Sequence, residues 1–121
     1  MVLDEGPTLA FLDHRPLFPG HVLVIPREHW ETLVELPAEG VDPLFGAVRR
    51  VARAVEAAMA ADGTLVAMNN RVSQSVTHLH VHVVPRRRKD GLRGFFWPRQ
   101  RYLNEEAMAS TAAAIRAALL P

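Results

Sequence analysis

Residues 74–85 read QSVTHLHVHVVP, in which His78, His80 and His82 alternate with Leu79, Val81 and Val83. On a strand, alternate side chains share a face. Each residue rises about 3.3 Å, so successive histidines stand roughly 6–7 Å apart along the backbone. Such a row can serve three ends. It can be a solvated strand face that happens to be rich in histidine. It can be part of a metal site, since an H-x-H pair on a strand can chelate zinc with a third ligand from elsewhere. His14, His21 and His29 are the other histidines, but no cysteine and no H-x-x-x-H pattern supports that use. The third use is covalent catalysis at phosphorus. A neutral imidazole is both a good nucleophile and, with a pKa near neutrality, a good leaving group. Flanking imidazoles can stabilise the phosphoryl oxygens as charge develops. The alternation suits this third use best.

The rest of the chain must position that row. Its 121 residues suit a single domain, 1–121, short enough for dimerisation to add useful burial. Lys and Arg total 14 against 13 Asp and Glu, a net charge of +1. That balance gives no general drive toward nucleic acid or a membrane surface. No cysteine is present, which excludes disulfides and fits a reducing cytoplasm. The N-terminal stretch MVLDEGPTLAFLD carries early acids and does not read as a signal peptide. Nothing approaches the roughly 20 apolar residues of a membrane span.

Thr8–Asp13 and His21–Pro26 read as strands around a Pro/Gly turn, a hairpin. Trp30–Leu36 suggests a helical turn ending at Pro37. Asp42-Pro43 is a helix start signal, and Leu44, Val48, Val51 and Val55 recur at helical spacing. Gly63 is placed to end that helix. Thr64–Asn69 and His78–Pro85 read as further strands. Asn104 caps a last, Ala-rich helix with Glu105 and Glu106 in its first turn and Met108, Ala112, Ile115 and Leu119 as its apolar stripe. The order predicts an α+β fold, an antiparallel sheet with helices on one face.

His78-Leu79-His80-Val81-His82-Val83-Val84 resembles the signature of the histidine triad (HIT) superfamily of nucleotide hydrolases and transferases. FLDHRPLFPGHVLVIPREH, residues 11–29, resembles the family's first hairpin. NNRVSQSVTHLHVHVVPR, residues 69–86, resembles its Asn, Gln-Ser and triad block. The resemblance implies a sheet of about five strands, one long helix and a C-terminal helix, in a homodimer whose sheets join; the composition above gives the cytoplasmic location. It implies a purine nucleotide substrate and no cofactor or metal. His80 would be the nucleophile, forming a nucleotidyl-histidine at the α-phosphorus. His82 would donate to the phosphate oxygens, His78 would help orient them, and His21 would approach from the neighbouring strand. Asp13 would bind the ribose hydroxyls, as an ionised carboxylate accepts two hydrogen bonds. Phe11, His14 and Leu23 would line the purine pocket. Gln74 and Ser75 would bond the bridging atom and phosphate, with a further contact from Asn69 or Asn70. Within the family, a phosphoramidase is favoured, with a dinucleoside polyphosphate hydrolase or nucleotidyltransferase next. A metal-binding protein and a non-catalytic nucleotide-binding module are the alternatives of other classes.

Some features depart from the family or lie outside it. The family sets a strand or helix before the first hairpin, and this chain begins almost at that hairpin. With no cysteine, the C-x-x-C zinc site of many bacterial members is missing and His29 loses its partners. Arg86, Arg87, Arg88 and Lys89 read as a solvated loop, or as a patch that steers anions. Phe95, Phe96, Trp97 and Pro98 either pack on the last helix or bring Trp97 to a partner's site.

Overall fold

The computed structural model describes residues 1–92 and 99–119; the cluster around Trp97 lies outside them. The chain divides into two compact units, Met1–Asp90 and Gly91–Pro121. The first unit holds a five-stranded antiparallel sheet and one long helix. Its strands are β1 (Leu3–Glu5), β2 (Thr8–Leu12), β3 (Val22–Pro26), β4 (Gly63–Ala67) and β5 (Val81–Arg86), with helix α1 (Ala38–Ala58) between β3 and β4. Spatial order is β1-β2-β3-β5-β4. The second unit contains helix α2 (Glu105–Leu119). No helix among the described residues is long and apolar enough to cross a membrane.

The β-branched runs place the core. Ala10, Val24 and Val81 face one another across β2, β3 and β5 in register, and all three are fully buried. Leu44, Ala47, Val48, Val51 and Val55 of α1 pack on that face. Direct cross-strand partners share a face. The row Phe11–Leu23–His82–Ala67, displaced by one residue, therefore lies on the sheet face opposite α1.

The structure corrects several expected boundaries. The strand before the first hairpin is present as β1, three residues that pair with β2. It carries two acids and little apolar pattern. Its acids are anchored by ion pairs, Asp4 with Arg27 and Glu5 with Arg50. Helix α1 starts at Ala38, directly after Pro37, so Pro43 lies inside it. The local signal at Asp42-Pro43 loses to packing. Leu36 is buried, and its Cδ1 would lie 2.9 Å from a Cβ added at Gly40, so the glycine lets the first turn close onto it. The turn before the helix is as expected, with Glu35 and Leu36 N–H groups bonded to Thr32 and Leu33 carbonyls.

At its other end α1 stops before Gly63, which instead opens β4. Ala60 takes the left-handed conformation, φ +49°. Ala61 N–H donates to Glu56 O at 3.0 Å and Ala60 N–H to Ala57 O at 3.4 Å, closing a Schellman turn. The Arg87 guanidinium donates to Met59 O, a cation at the helix's negative end. Arg86 holds Asp90 through two hydrogen bonds of 2.6 and 2.9 Å. The Arg86–Lys89 run is thus a folded turn, with two of its cations spent on structure. In α2, Asn104 Oδ1 accepts Ala107 N–H at 2.8 Å, the cap expected from sequence, and none of the helix's residues is buried.

An alanine in the left-handed region costs about 1 kcal/mol that glycine does not. Ala60→Gly is expected to stabilise the protein by about that amount, read as a rise in denaturation midpoint at unchanged m-value. A lowered midpoint would show that the turn is held some other way.

Candidate active site

The hairpin between β2 and β3 sets the first half of the site. Asp13 N–H donates to His21 O at 2.9 Å, and His21 N–H to Phe18 O at 3.1 Å. Gly20 permits that loop: its φ is +98°, and a Cβ there would lie 2.7 Å from Met59 Cγ. His21, next in the chain, is 3% exposed, and its Nε2 lies 2.9 Å from His82 Nδ1. The two rings are 5.1 Å apart, and those of His80 and His82 are 5.0 Å apart.

Only His82 of the triad lies on β5, which begins at Val81 rather than His78. The ladder stops there because β3 ends at Pro26, which has no N–H to extend it. The preceding residues are held by other bonds. Leu79 N–H donates to Trp30 O at 2.7 Å, and Leu79 is fully buried. His78 Nε2 donates to Pro26 O at 2.8 Å. His80 Nδ1 donates to His78 O at 2.7 Å, so a neutral His80 keeps its lone pair on Nε2. His82 Nδ1 is engaged by His21, and its Nε2 makes no hydrogen bond among the described residues.

These groups open on a cleft of about 510 Å³. Phe11, Leu23 and Ile25 form an apolar floor, Asp13, His14 and Arg15 one rim, and Ser75, Val76, His78, His80 and His82 the remaining wall. Asp13 Oδ1 accepts Arg15 N–H at 2.9 Å, while its Oδ2 lies 3.8 Å from His21 Nε2. The volume falls in the range of small-molecule sites. An apolar floor, a carboxylate and a row of imidazoles can seat a planar base, a ribose and a phosphate in that order.

A family model for the HIT domain matches residues 1–89. This chain belongs to the HIT family. It is 39% identical over 93 residues to an uncharacterised HIT-like protein of Mycobacterium tuberculosis, covering 75% of this chain and 65% of that one. This chain thus spans just under two thirds of the length of that relative. It is 36% identical to the asymmetrical bis(5'-nucleosyl)-tetraphosphatase of Schizosaccharomyces pombe, over 67% of this chain and 46% of the relative. With the adenosine 5'-monophosphoramidase hnt1 of the same yeast it shares 33% identity, over 88% and 78% of the two chains. The crystal structure of a HIT family member from Bacillus subtilis superposes with a TM-score of 0.91 at 32% identity, covering 99% of this chain and 87% of that one.

Of the residues expected at the HIT site, Phe11, Asp13, His14, Leu23, Ser75, His78, His80 and His82 line the cleft, and His21 backs His82. Asn69, Asn70 and Gln74 are not among the lining residues. Asn70 Oδ1 accepts Leu33 N–H at 2.8 Å. Gln74 accepts Arg71 N–H at 2.8 Å and donates to Glu31 O at 2.7 Å, so its amide braces the loop before the triad. Sequence reasoning missed Arg15, Ile25 and Val76. Ile25 was findable, since it shares strand parity with His21 and Leu23. His29 keeps a partner after all: its Nδ1 lies 3.3 Å from His78 Nδ1.

Burial pushes the His21 imidazole below the ordinary histidine range, with the Asp13 carboxylate opposing. His82 moves the same way, first through burial and then through His80 and His21, again against Asp13. An unfolded histidine titrates near 6.5. Between the lowered native values and about 6.5, the unfolded chain binds more protons than the native one. Stability is therefore expected to fall as pH drops through that window and to level off below it. Thermal melts across it should show this acid loss, with a shallower slope in His82→Gln. An equal slope in both would acquit the His82 imidazole.

Proposed function

We propose that this protein hydrolyses purine nucleotide conjugates at the α-phosphorus through a nucleotidyl-histidine on His80, in the manner of a nucleoside phosphoramidase. The observation that carries this reading is the bond from His80 Nδ1 to the His78 carbonyl. It leaves the Nε2 lone pair in a cleft where His82 Nε2 is also free. The base would lie on Phe11, Leu23 and Ile25, with the ribose hydroxyls on Asp13.

In the first step His80 Nε2 attacks phosphorus, a phosphorus–nitrogen bond to the ring forms, and the bond to the leaving group breaks. His82 donates to the phosphoryl oxygens as they gain charge. Ser75 offers its hydroxyl to the bridging atom, and the leaving amine takes up a solvent proton relayed through that hydroxyl. In the second step water attacks phosphorus and releases its proton to bulk solvent. The bond to His80 breaks, and nucleoside monophosphate departs. No metal is needed in either step.

The favoured leaving group is an amine. The yeast monophosphoramidase aligns over more of both chains than the yeast tetraphosphatase does, which supports that choice. A dinucleoside polyphosphate is the second reading, since the same attack serves both. We also infer a cytoplasmic homodimer whose sheets join along β4, the strand at one edge of the sheet, where Val66 is exposed. Sedimentation at micromolar concentration is expected to give the dimer mass, and a monomer would remove that part.

Turnover of adenosine 5'-phosphoramidate, with diadenosine triphosphate alongside, tests the activity. His80→Ala is expected to lose on the order of 10⁴ or more in kcat while still binding nucleotide. Acid-labile label from the substrate should remain on the wild type after rapid quenching and not on the variant. Nucleotide binding without turnover by the wild type would make the protein a binding module instead.

A further inference from the structure

One hydrogen bond of the site comes from the loop between β2 and β3 and has no part in the steps above. Leu17 N–H donates to His21 Nδ1 at 3.1 Å. A neutral imidazole has one N–H and one lone pair. With the Nδ1 lone pair facing Leu17, the ring proton of His21 belongs on Nε2, 2.9 Å from His82 Nδ1. His82 Nδ1 must then accept, and its own proton sits on Nε2. The opposite order would set the Leu17 N–H against a second N–H at His21 Nδ1. Burial keeps the His21 ring out of water, and both rings are held toward the neutral form.

The same amide decides what else the cluster can do. Asp13, His21 and His82 present one carboxylate oxygen and two ring nitrogens, all within 4.8 Å of one another. Two histidines and a carboxylate at that spacing are a donor set for a divalent transition metal. A metal needs the Nε2 lone pair of His21. A ligating histidine gives its other ring N–H to an acceptor, whereas here His21 Nδ1 faces a donor. The ring therefore offers Nε2–H to His82 and no lone pair to a cation.

The geometry points to the backbone N–H of Leu17 as the positioning group that fixes the proton order from His21 to His82 and withholds Asp13, His21 and His82 from metal capture. Its effect on rate rests on the nucleotidyl-histidine reading. Its effects on tautomer and metal binding do not.

The test is the full-length protein with the Leu17 amide replaced by an ester, by incorporating leucic acid at position 17. This removes the N–H and keeps the side chain. Leu17→Ala is the control that keeps the N–H. Nitrogen-15 spectra of the imidazoles at pH 7.5 are expected to give His21 protonated on Nε2 in the wild type and Leu17→Ala, and mixed tautomers in the ester. Calorimetric titration with zinc chloride is expected to show equimolar binding to the ester protein alone, lost in the ester protein carrying His21→Gln. In zinc-free buffer the ester protein should lose about tenfold in kcat with KM within twofold.

A wild-type spectrum with His21 protonated on Nδ1 overturns the proposal without any variant. So does stoichiometric zinc binding by the wild type, or an ester protein that keeps the Nε2–H tautomer and takes up no zinc. If tautomer and zinc behave as expected while no protein turns over nucleotide, the positioning role stands and the hydrolase reading falls.

Discussion

The register between β3 and β5 is the constraint on which the site depends. Val22 faces Val83 and Val24 faces Val81 on the α1 side, and Leu23 faces His82 on the other. A slip of one residue would turn His82 into the apolar core and bring Val81 and Val83 to the cleft. The hydrophobic effect opposes that slip, because those valines are fully buried in the observed register. The same burial that stabilises the domain therefore aims the imidazole. The geometry of the candidate site on the far face is specified by packing on the near one.

Holding imidazoles half inside a protein has a cost, and the site meets it with main-chain partners. His21 is almost wholly buried, yet both of its ring nitrogens are hydrogen-bonded, to Leu17 N–H and to His82. His78 and His80 each give a proton to a backbone carbonyl. Without such partners, buried polar nitrogens would cost a few kcal/mol each. Burial also keeps His21 and His82 toward the neutral state. A neutral His82 donates a hydrogen bond without adding a net charge.

Much of this was legible in the sequence. The β2–β3 hairpin follows from β-branched runs around a Pro/Gly turn, and the triad's alternation survives even where the ladder does not. Most of the misses share one cause, local signals overruled by tertiary contacts. Asp42-Pro43 is a good helix start in isolation, but Leu36 packing over Gly40 carries α1 back to Ala38. Gly63 is a good helix stop, but Ala60 turns the chain first. The acids of β1 give no strand pattern because their partners, Arg27 and Arg50, lie far along the chain. Gln74 carries the right chemistry for a phosphate contact, and nothing in its neighbourhood announces that Glu31 O and Arg71 N–H occupy it.

The least legible part is also the part that sets proton positions. Leu17 is an exposed leucine in a turn, the sort of residue a sequence reading passes over. Its contribution is an amide N–H, which every residue but proline also has. What makes that amide useful is its direction, and direction comes from a loop closed by Asp13 N–H on His21 O and by Gly20 at positive φ. Pro26 acts likewise through its carbonyl, and His78 through its own. The identities of the imidazoles are written in the sequence, whereas their tautomers are written in the backbone. A chain can therefore keep every motif residue and lose the proton order, if the hairpin loop is reshaped. It can equally change Leu17 to another residue that keeps the N–H and lose nothing.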